Sequence, residues 1–242
     1  MKTLRAAVDR KEFFKIEAAR ISYEILSSAY EELTGFLRQF EKDDRTYPVA
    51  LAAIRQAWQF IDYSFRFMRI VDQIRNLAHK DPRYKNAAKC LEHIEKARNF
   101  IQHLASGIPK QVSVVYPVLG VLAWASESRE KSFTLSLGTL PPGTHFHTLA
   151  YDREKERYAG GFHIYVDTFN VNLTESFSKI KGCSEYLNEW LQTNKMLSDT
   201  ELIPTLMEAD ALNVQADYRY VRVLMSTNEA IPQPIAKPEK AD

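Results

Sequence analysis

The chain has 242 residues, of which 45% are hydrophobic and 26% are charged, proportions typical of a globular protein. Its 32 Lys and Arg residues nearly balance 31 Asp and Glu residues, so no global positive field favours tight nonspecific binding to nucleic acid. The two cysteines lie far apart in the sequence, so no disulfide framework is expected. The sequence shows neither a signal peptide nor an 18-residue apolar run, so we expect a cytoplasmic protein without a membrane span.

Apolar side chains recur every three or four residues through the first hundred positions, a spacing that predicts three long helices. The helices are expected over about residues 9–40, 49–79 and 84–106, and Gly107 and Pro109 end the third. The stripe of the second helix contains Ile54, Trp58, Ile61, Phe65, Met68 and Val71.

Short β-branched and alternating segments follow, and they predict three to five antiparallel strands, at 112–116, 118–124, 133–137 and 162–166. A charged hairpin tip is expected at 152–157. Helical spacing returns at Asn172, where Thr174 is the expected cap, and 218–225 is predicted to form a last strand. The proline-containing segment 231–242 is expected to be a frayed tail.

The helix from Asn172 can complete a four-helix bundle with the first three helices, and the strands then form an insertion. We therefore predict an α+β fold that is mainly α. Its parts are a helical bundle of residues 1–108, a β insertion at 109–171, a segment 172–226 containing the completing helix and the final strand, and a flexible tail at 227–242. Two separate domains divided near residue 110 are the alternative.

The third predicted helix carries polar residues suited to chemistry on a phosphate. At about 100° per residue, Arg98 lies at the edge of the apolar stripe, whereas Asn99 and His103 share the outward face. His103 is therefore expected to face solvent, a ligand or a second subunit. The alternative is a solvated histidine beside an arginine in a surface ion pair.

The segment Arg98-Asn99-Phe100-Ile101-Gln102-His103 is similar to the R-polar-x(3)-H motif of the HEPN superfamily, whose members are up-down helical bundles. The resemblance covers about residues 9–108 and extends to the helix at 172–192. It implies a HEPN-like bundle and a homodimer in which two motif helices form one cleft. It also implies a metal-independent endoribonuclease without a cofactor, in a toxin or defence role. Other members have lost activity and serve as scaffolds or binding modules.

The chemistry agrees with these residue types. RNA is cleaved by its own 2′-OH, so the protein must transfer protons and stabilise charge on phosphorus. The imidazole of His103 can transfer a proton near neutral pH, the guanidinium of Arg98 can bind phosphate oxygens, and Asn99 can orient either group.

Three further residues are candidates for a supporting role. Asp62 and Arg66 lie four apart on the second helix, where a surface salt bridge is the ordinary interpretation. The functional alternative makes either one a partner of the motif, with Gln102 beside His103 also contributing. A near copy of the motif, Arg75 to His79, is interpreted as the cationic end of the second helix.

A metal site is the remaining structural alternative. His145 and His147 lie two apart, as ligands on one face of a strand would, and His163 on a later strand can supply a third ligand.

The leading function is thus an endoribonuclease acting on RNA. The second is an inactive HEPN-like interaction or RNA-binding scaffold with a protein partner such as an antitoxin, and the third is a small metalloprotein.

Overall fold

A computed structural model of the chain describes residues 2–4, 9–42, 45–103, 119–137, 149–166, 169–201, 203–207 and 220–224. The chain divides into two compact units, Val8–Asn194 and a smaller unit of Met1–Ala7 with Lys195–Asp242. In the described part of the larger unit, four helices and a small antiparallel sheet confirm the predicted fold class, α+β and mainly α. The larger unit continues across residue 110 and ends after the fourth helix.

Helix α1, Arg10–Glu41, begins at Asp9, whose carboxylate accepts a hydrogen bond from the Lys11 backbone N–H at 2.9 Å. This bond satisfies one of the donors that every helix leaves unpaired at its N-terminus. The buried side chains recur at the predicted helical spacing and include Ile16, Ala19, Leu26, Leu33 and Leu37. At 1.5 Å per residue, α1 is about 48 Å long and can contact both the other helices and the sheet.

Helix α2, Tyr47–Val71, ends well before His79, so the predicted end was wrong. The buried carboxylate of Glu12 on α1 accepts a hydrogen bond from the Arg75 backbone N–H at 2.6 Å, and Asn76 adopts a left-handed φ of 60°. These features direct the chain away from the helix. The near copy of the motif, Arg75 to His79, therefore lies in the connection to the next helix, and its interpretation as the cationic end of α2 was wrong.

Helix α3, Pro82–Gln102, begins at Asp81, whose carboxylate accepts a hydrogen bond from the Arg83 backbone N–H at 2.8 Å. Its buried face consists of Ala87, Cys90, Ile94 and Ala97. His103 is the residue that caps its C-terminal end, and the rest of the predicted helix, 104–106, lies outside the described residues.

Helix α4, Leu173–Thr193, packs mainly against α3 and also contacts α1 and α2, so it is the fourth helix of the bundle, as predicted. The predicted cap was wrong. Asn172 caps the helix by accepting a hydrogen bond from the Glu175 backbone N–H at 3.0 Å. The hydroxyl oxygen of Thr174 instead accepts hydrogen bonds from the Phe162 backbone N–H at 2.9 Å and from the Tyr30 hydroxyl at 3.0 Å.

Ten short strands occur among the described residues: β1 Lys2–Leu4, β2 Val121–Ala125, β3 Ser132–Ser136, β4 Tyr151–Asp152, β5 Arg157–Tyr158, β6 Phe162–Val166, β7 Phe169–Asn172, β8 Leu197–Glu201, β9 Ile203–Met207 and β10 Tyr220–Leu224. The larger unit contains an antiparallel sheet of order β3-β2-β6-β7. Strands β2, β3 and β6 lie close to their predicted positions, whereas β7 was not predicted. The predicted strand at 112–116 lies outside the described residues.

Both faces of the sheet are covered where β2 runs through it, because all five of its residues are buried. One face meets the helices, where Trp124 packs edge-on against Phe40 of α1 at 6.3 Å between ring centroids. On the other face, Ala123 and Ala125 pack with Leu149, and Tyr158 lies against this cluster. The sheet is thus built into the core of the larger unit.

The predicted charged hairpin tip is confirmed, because β4 and β5 pair antiparallel around a turn at 153–156. The Asp152 carboxylate accepts hydrogen bonds from the backbone N–H groups of Glu154 and Lys155, both at 3.1 Å.

In the smaller unit, β1 pairs antiparallel with β8, and β10 pairs in parallel with β9. The predicted last strand is confirmed as β10, whereas β1, β8 and β9 were not predicted. The predicted tail, 231–242, lies outside the described residues. None of the helices in the described ranges has an apolar stretch long enough to cross a bilayer.

Candidate functional site

The last turns of α3 present the motif residues as the helical spacing predicted. Ile94 and Ala97 are fully buried in the bundle, whereas Asn99, Gln102 and His103 are exposed. The side chain of Arg98 is 20% exposed and lies at the border between these two faces. We call Arg98, Asn99 and His103 the motif face.

Arg98 is held in place from α2. Its Nε donates to the Asp62 carboxylate at 3.1 Å, and its guanidinium lies over the ring of Phe65 at 4.3 Å from the centroid. Its Nη1 donates to the side-chain oxygen of Asn99 at 3.4 Å. Among the described residues, the Nη2 of Arg98 has no hydrogen-bond acceptor. The structure therefore orients this guanidinium, and the described residues use only its Nε and Nη1 groups as hydrogen-bond donors.

Asp62 joins the two helices at this site. Its second carboxylate oxygen accepts a hydrogen bond from Nε of Arg66 at 2.7 Å, so one carboxylate binds two guanidinium groups. The predicted surface salt bridge with Arg66 and the predicted contact with the motif are both present. The guanidinium of Arg66 also lies 5.3 Å from the ring centroid of Tyr63.

A second inter-helix pair lies near the first. Arg69 on α2 donates to the Glu95 carboxylate on α3 at 2.8 Å, and its guanidinium lies 5.2 Å from the ring centroid of Phe65. The ring of Phe65 therefore contacts two arginines. We did not predict this role, because the helical spacing assigned Phe65 to the core. The side chains of Phe65 and Trp58 are only partly buried, unlike the rest of the predicted α2 stripe. The sequence did contain a signal for this contact, because Arg69 follows Phe65 by four residues, a spacing that places two side chains next to each other on a helix.

His103 lies where α3 ends. Its backbone N–H donates to the Asn99 carbonyl at 3.0 Å, so the residue is fixed to the last helical turn. Arg98 and His103 are five positions apart, which separates their side-chain directions by about 140° around the helix axis. Asn99 lies between those directions, and its contact with Arg98 draws the guanidinium toward the outward face.

The alternative metal site is described only in part. His145 and His147 lie outside the described residues. His163 lies on β6, and its Nδ1 is 3.2 Å from the side-chain oxygen of Asn170 on β7. Within the described ranges, no three His, Cys, Asp or Glu side chains form a group suited to a metal ion.

Comparison with protein-family models, with curated proteins and with solved structures found no match.

Proposed function

We propose that the protein is a HEPN-like endoribonuclease that cleaves RNA on the motif face and requires no metal ion. The observation that supports this proposal is the environment of Arg98. Asp62, Phe65 and Asn99 orient its guanidinium at the border of an exposed helix face and leave Nη2 with no acceptor in the described part of the chain. A preoriented guanidinium is suited to binding phosphate oxygens.

In the proposed reaction, the 2′-oxygen of a ribose attacks the adjacent phosphorus and the 5′-oxygen leaves. The products are a 2′,3′-cyclic phosphate and a 5′-hydroxyl end. His103 accepts the proton of the 2′-hydroxyl or donates a proton to the leaving oxygen, and Arg98 stabilises the charge that develops on the phosphate oxygens. Asn99 holds Arg98 and can contact the phosphate. Gln102 is exposed next to His103 and is proposed to contact the RNA.

The divergence of Arg98 and His103 favours a dimer. Because their side-chain directions differ by about 140° around α3, a phosphate that contacts both is better held between two copies. We propose that two motif faces meet across a twofold axis, so that the two His103 side chains serve as base and acid. Such an enzyme acts in the cytoplasm on cellular RNA, in a toxin or defence role controlled by a protein partner.

The test is incubation of the purified protein with mixed RNA in excess chelator. Wild type is compared with His103→Ala and with His93→Ala, a matched control at another exposed histidine of α3. We expect wild type and His93→Ala to leave 2′,3′-cyclic phosphate ends, and His103→Ala to lose at least about a hundredfold in rate, as expected for loss of a general acid or base. Equal cleavage by all three proteins, or an inert wild type that is folded and dimeric, would refute the proposal.

A second candidate is a catalytically inactive RNA-binding or interaction scaffold on the same face. The observation that favours it is that Asp62 and Phe65 already give Arg98 a structural role in joining α2 to α3. A scaffold binds labelled RNA in a salt-dependent manner, leaves it intact, and keeps that binding in His103→Ala. Fluorescence anisotropy of the RNA, measured beside the cleavage assay, separates the two functions.

A further inference from the structure

A cleft of about 340 Å³ lies within the larger unit, away from the motif face. The C-terminal part of α1 forms one wall, and the turn between β2 and β3 forms another. The Gly160-Gly161 segment before β6 and the first turn of α4 complete it. This volume is in the range of pockets that hold small organic molecules, about 300–1,000 Å³.

Arg129 is positioned at this cleft by its backbone. It adopts a left-handed φ of 61°, uncommon for a residue with a side chain. Its N–H donates to the Ser126 carbonyl, and its own carbonyl accepts from the Tyr158 N–H, both at 2.9 Å. Residues held in such conformations cluster at binding and active sites.

The side chain of Arg129 lies against Gly160. A Cβ atom at position 160 would be 2.8 Å from the guanidinium carbon, so an alanine there would require the guanidinium to shift. Among the described residues, no carboxylate forms an ion pair with Arg129. The cleft is therefore lined by an exposed arginine that has no counter-ion in that part of the chain.

The second arginine of the cleft is already neutralised. Arg38 donates through Nη1 to Glu41 at 3.0 Å and through Nη2 to Glu127 at 3.1 Å. The Glu127 side chain is 81% exposed. Of the two arginines, Arg129 is thus the one with no ion pair among the residues that the structure describes, and Glu127 opposes the attraction of an anion.

The hydroxyl groups of Thr174 and Thr34 also line the cleft. The oxygen of Thr174 accepts hydrogen bonds from Tyr30 and from the backbone of Phe162, while its own O–H has no acceptor in the described ranges. The Thr34 hydroxyl donates to the Tyr30 carbonyl, and its oxygen can accept a hydrogen bond. The rings of Tyr30 and Phe162 supply apolar surface between these groups. The cleft therefore combines a cation and a hydroxyl donor, neither with a partner in the described part of the chain, with aromatic side chains.

We propose that this cleft binds a small organic anion whose carboxylate or phosphate group contacts Arg129 and whose apolar part lies against Tyr30 and Phe162. A charged group that accepts hydrogen bonds matches the donors of Arg129 and Thr174. A flat apolar body matches the ring surfaces, as in most small-molecule pockets. The site is independent of the proposed ribonuclease activity.

The test is titration of the full chain with phenyl phosphate and, in parallel, with benzoate, followed by ligand-observed NMR. The two probes distinguish phosphate from carboxylate, and phenol controls for the ring alone. Arg129→Gln removes the charge, and Gly160→Ala keeps the charge but displaces the guanidinium. Arg153→Gln removes an exposed arginine at the β4–β5 turn and is the matched control.

We expect Arg129→Gln and Gly160→Ala to weaken binding of the preferred probe by at least about tenfold, the usual effect of losing a hydrogen bond to a charged group. Glu127→Gln should strengthen binding several-fold, and Arg153→Gln should leave it unchanged. If neither probe binds wild type more tightly than phenol, or if Arg129→Gln and Arg153→Gln bind equally, the proposal is wrong.

Discussion

Asp62→Asn provides a quantitative test of how the motif face is held together. The substitution keeps the size of the side chain and removes the charge that binds Arg66 at 2.7 Å and Arg98 at 3.1 Å. The Arg66 pair lies on one helix and the Arg66 side chain is 53% exposed, so the pair is expected to contribute about 0.3–0.5 kcal/mol. The Arg98 side chain is 20% exposed, which reduces solvent screening and places its pair near the upper end for surface ion pairs, about 1 kcal/mol.

Two double-mutant cycles separate these contributions. One combines Asp62→Asn with Arg98→Gln, and the other combines it with Arg66→Gln. The free energy of unfolding is measured in urea at neutral pH, and the cycle removes the contribution of Phe65 to the Arg98 substitution. We expect a coupling energy of about 1 kcal/mol for Asp62 with Arg98 and at most about 0.5 kcal/mol with Arg66. Both should decrease in 1 M salt.

A coupling energy between Asp62 and Arg98 that is near zero, or smaller than that with Arg66, would refute this reasoning. Arg98 would then be held by its contacts with the Phe65 ring and with Asn99, and the charge of Asp62 would have no part in orienting it.

Three further substitutions test the fold. Gly35→Ala, at an open position in α1, should stabilise the protein by about 0.5–1 kcal/mol, because glycine is the poorer helix former. Gly120→Ala should destabilise it by more than about 1 kcal/mol, because Gly120 has φ 82° and its added Cβ would lie 2.8 Å from the Tyr165 carbonyl oxygen. Trp124→Ala should lower the free energy of unfolding in urea by about 3–5 kcal/mol, because Trp124 is only 1% exposed. Burial raises the pKa of the Cys183 thiol to about 12, so the unfolded chain ionises first, and stability should fall as pH rises from about 8.5 towards 12. Alkaline denaturation should show a shallower fall in Cys183→Ala than in wild type, because burial also raises the pKa of the Cys90 thiol and of several tyrosines, which keep part of the slope.

Each of these expectations has a clear contrary result. Equal effects of alanine at positions 35 and 120 would show that the left-handed backbone of Gly120 is unimportant. A loss below about 1 kcal/mol for Trp124→Ala would mean that the sheet contributes little to the core. Rapid alkylation of Cys183 in the native protein at pH 8 would contradict its burial.

The helices were predictable because each buries one face, and a buried face imposes a spacing on the sequence. The same spacing misled at the end of α2. Ile74 and Leu77 continue the apolar pattern and are buried, but they lie in the connection where Glu12 binds the Arg75 backbone. That bond joins residues 63 positions apart, and no local pattern records it.

At the candidate site, the outward positions of Asn99 and His103 followed from the helical wheel. The contact of Arg98 with Asp62 was only one of two interpretations of Asp62, because it depends on how far α2 is shifted along α3. The cleft around Arg129 was beyond prediction for a similar reason. Its walls come from four separate segments, and the position of the guanidinium depends on the absence of a side chain at Gly160.

Asn172 is both the last residue of β7 and the cap of α4, so no connecting loop separates the sheet from the fourth helix. A movement of the strand is therefore transmitted directly to the first turn of the helix. The sheet is consequently a poor candidate for deletion or transfer to another protein. Removing it would take away the group that starts α4, and an extra residue inserted at this point would rotate that helix by about 100° and turn its apolar face away from the bundle.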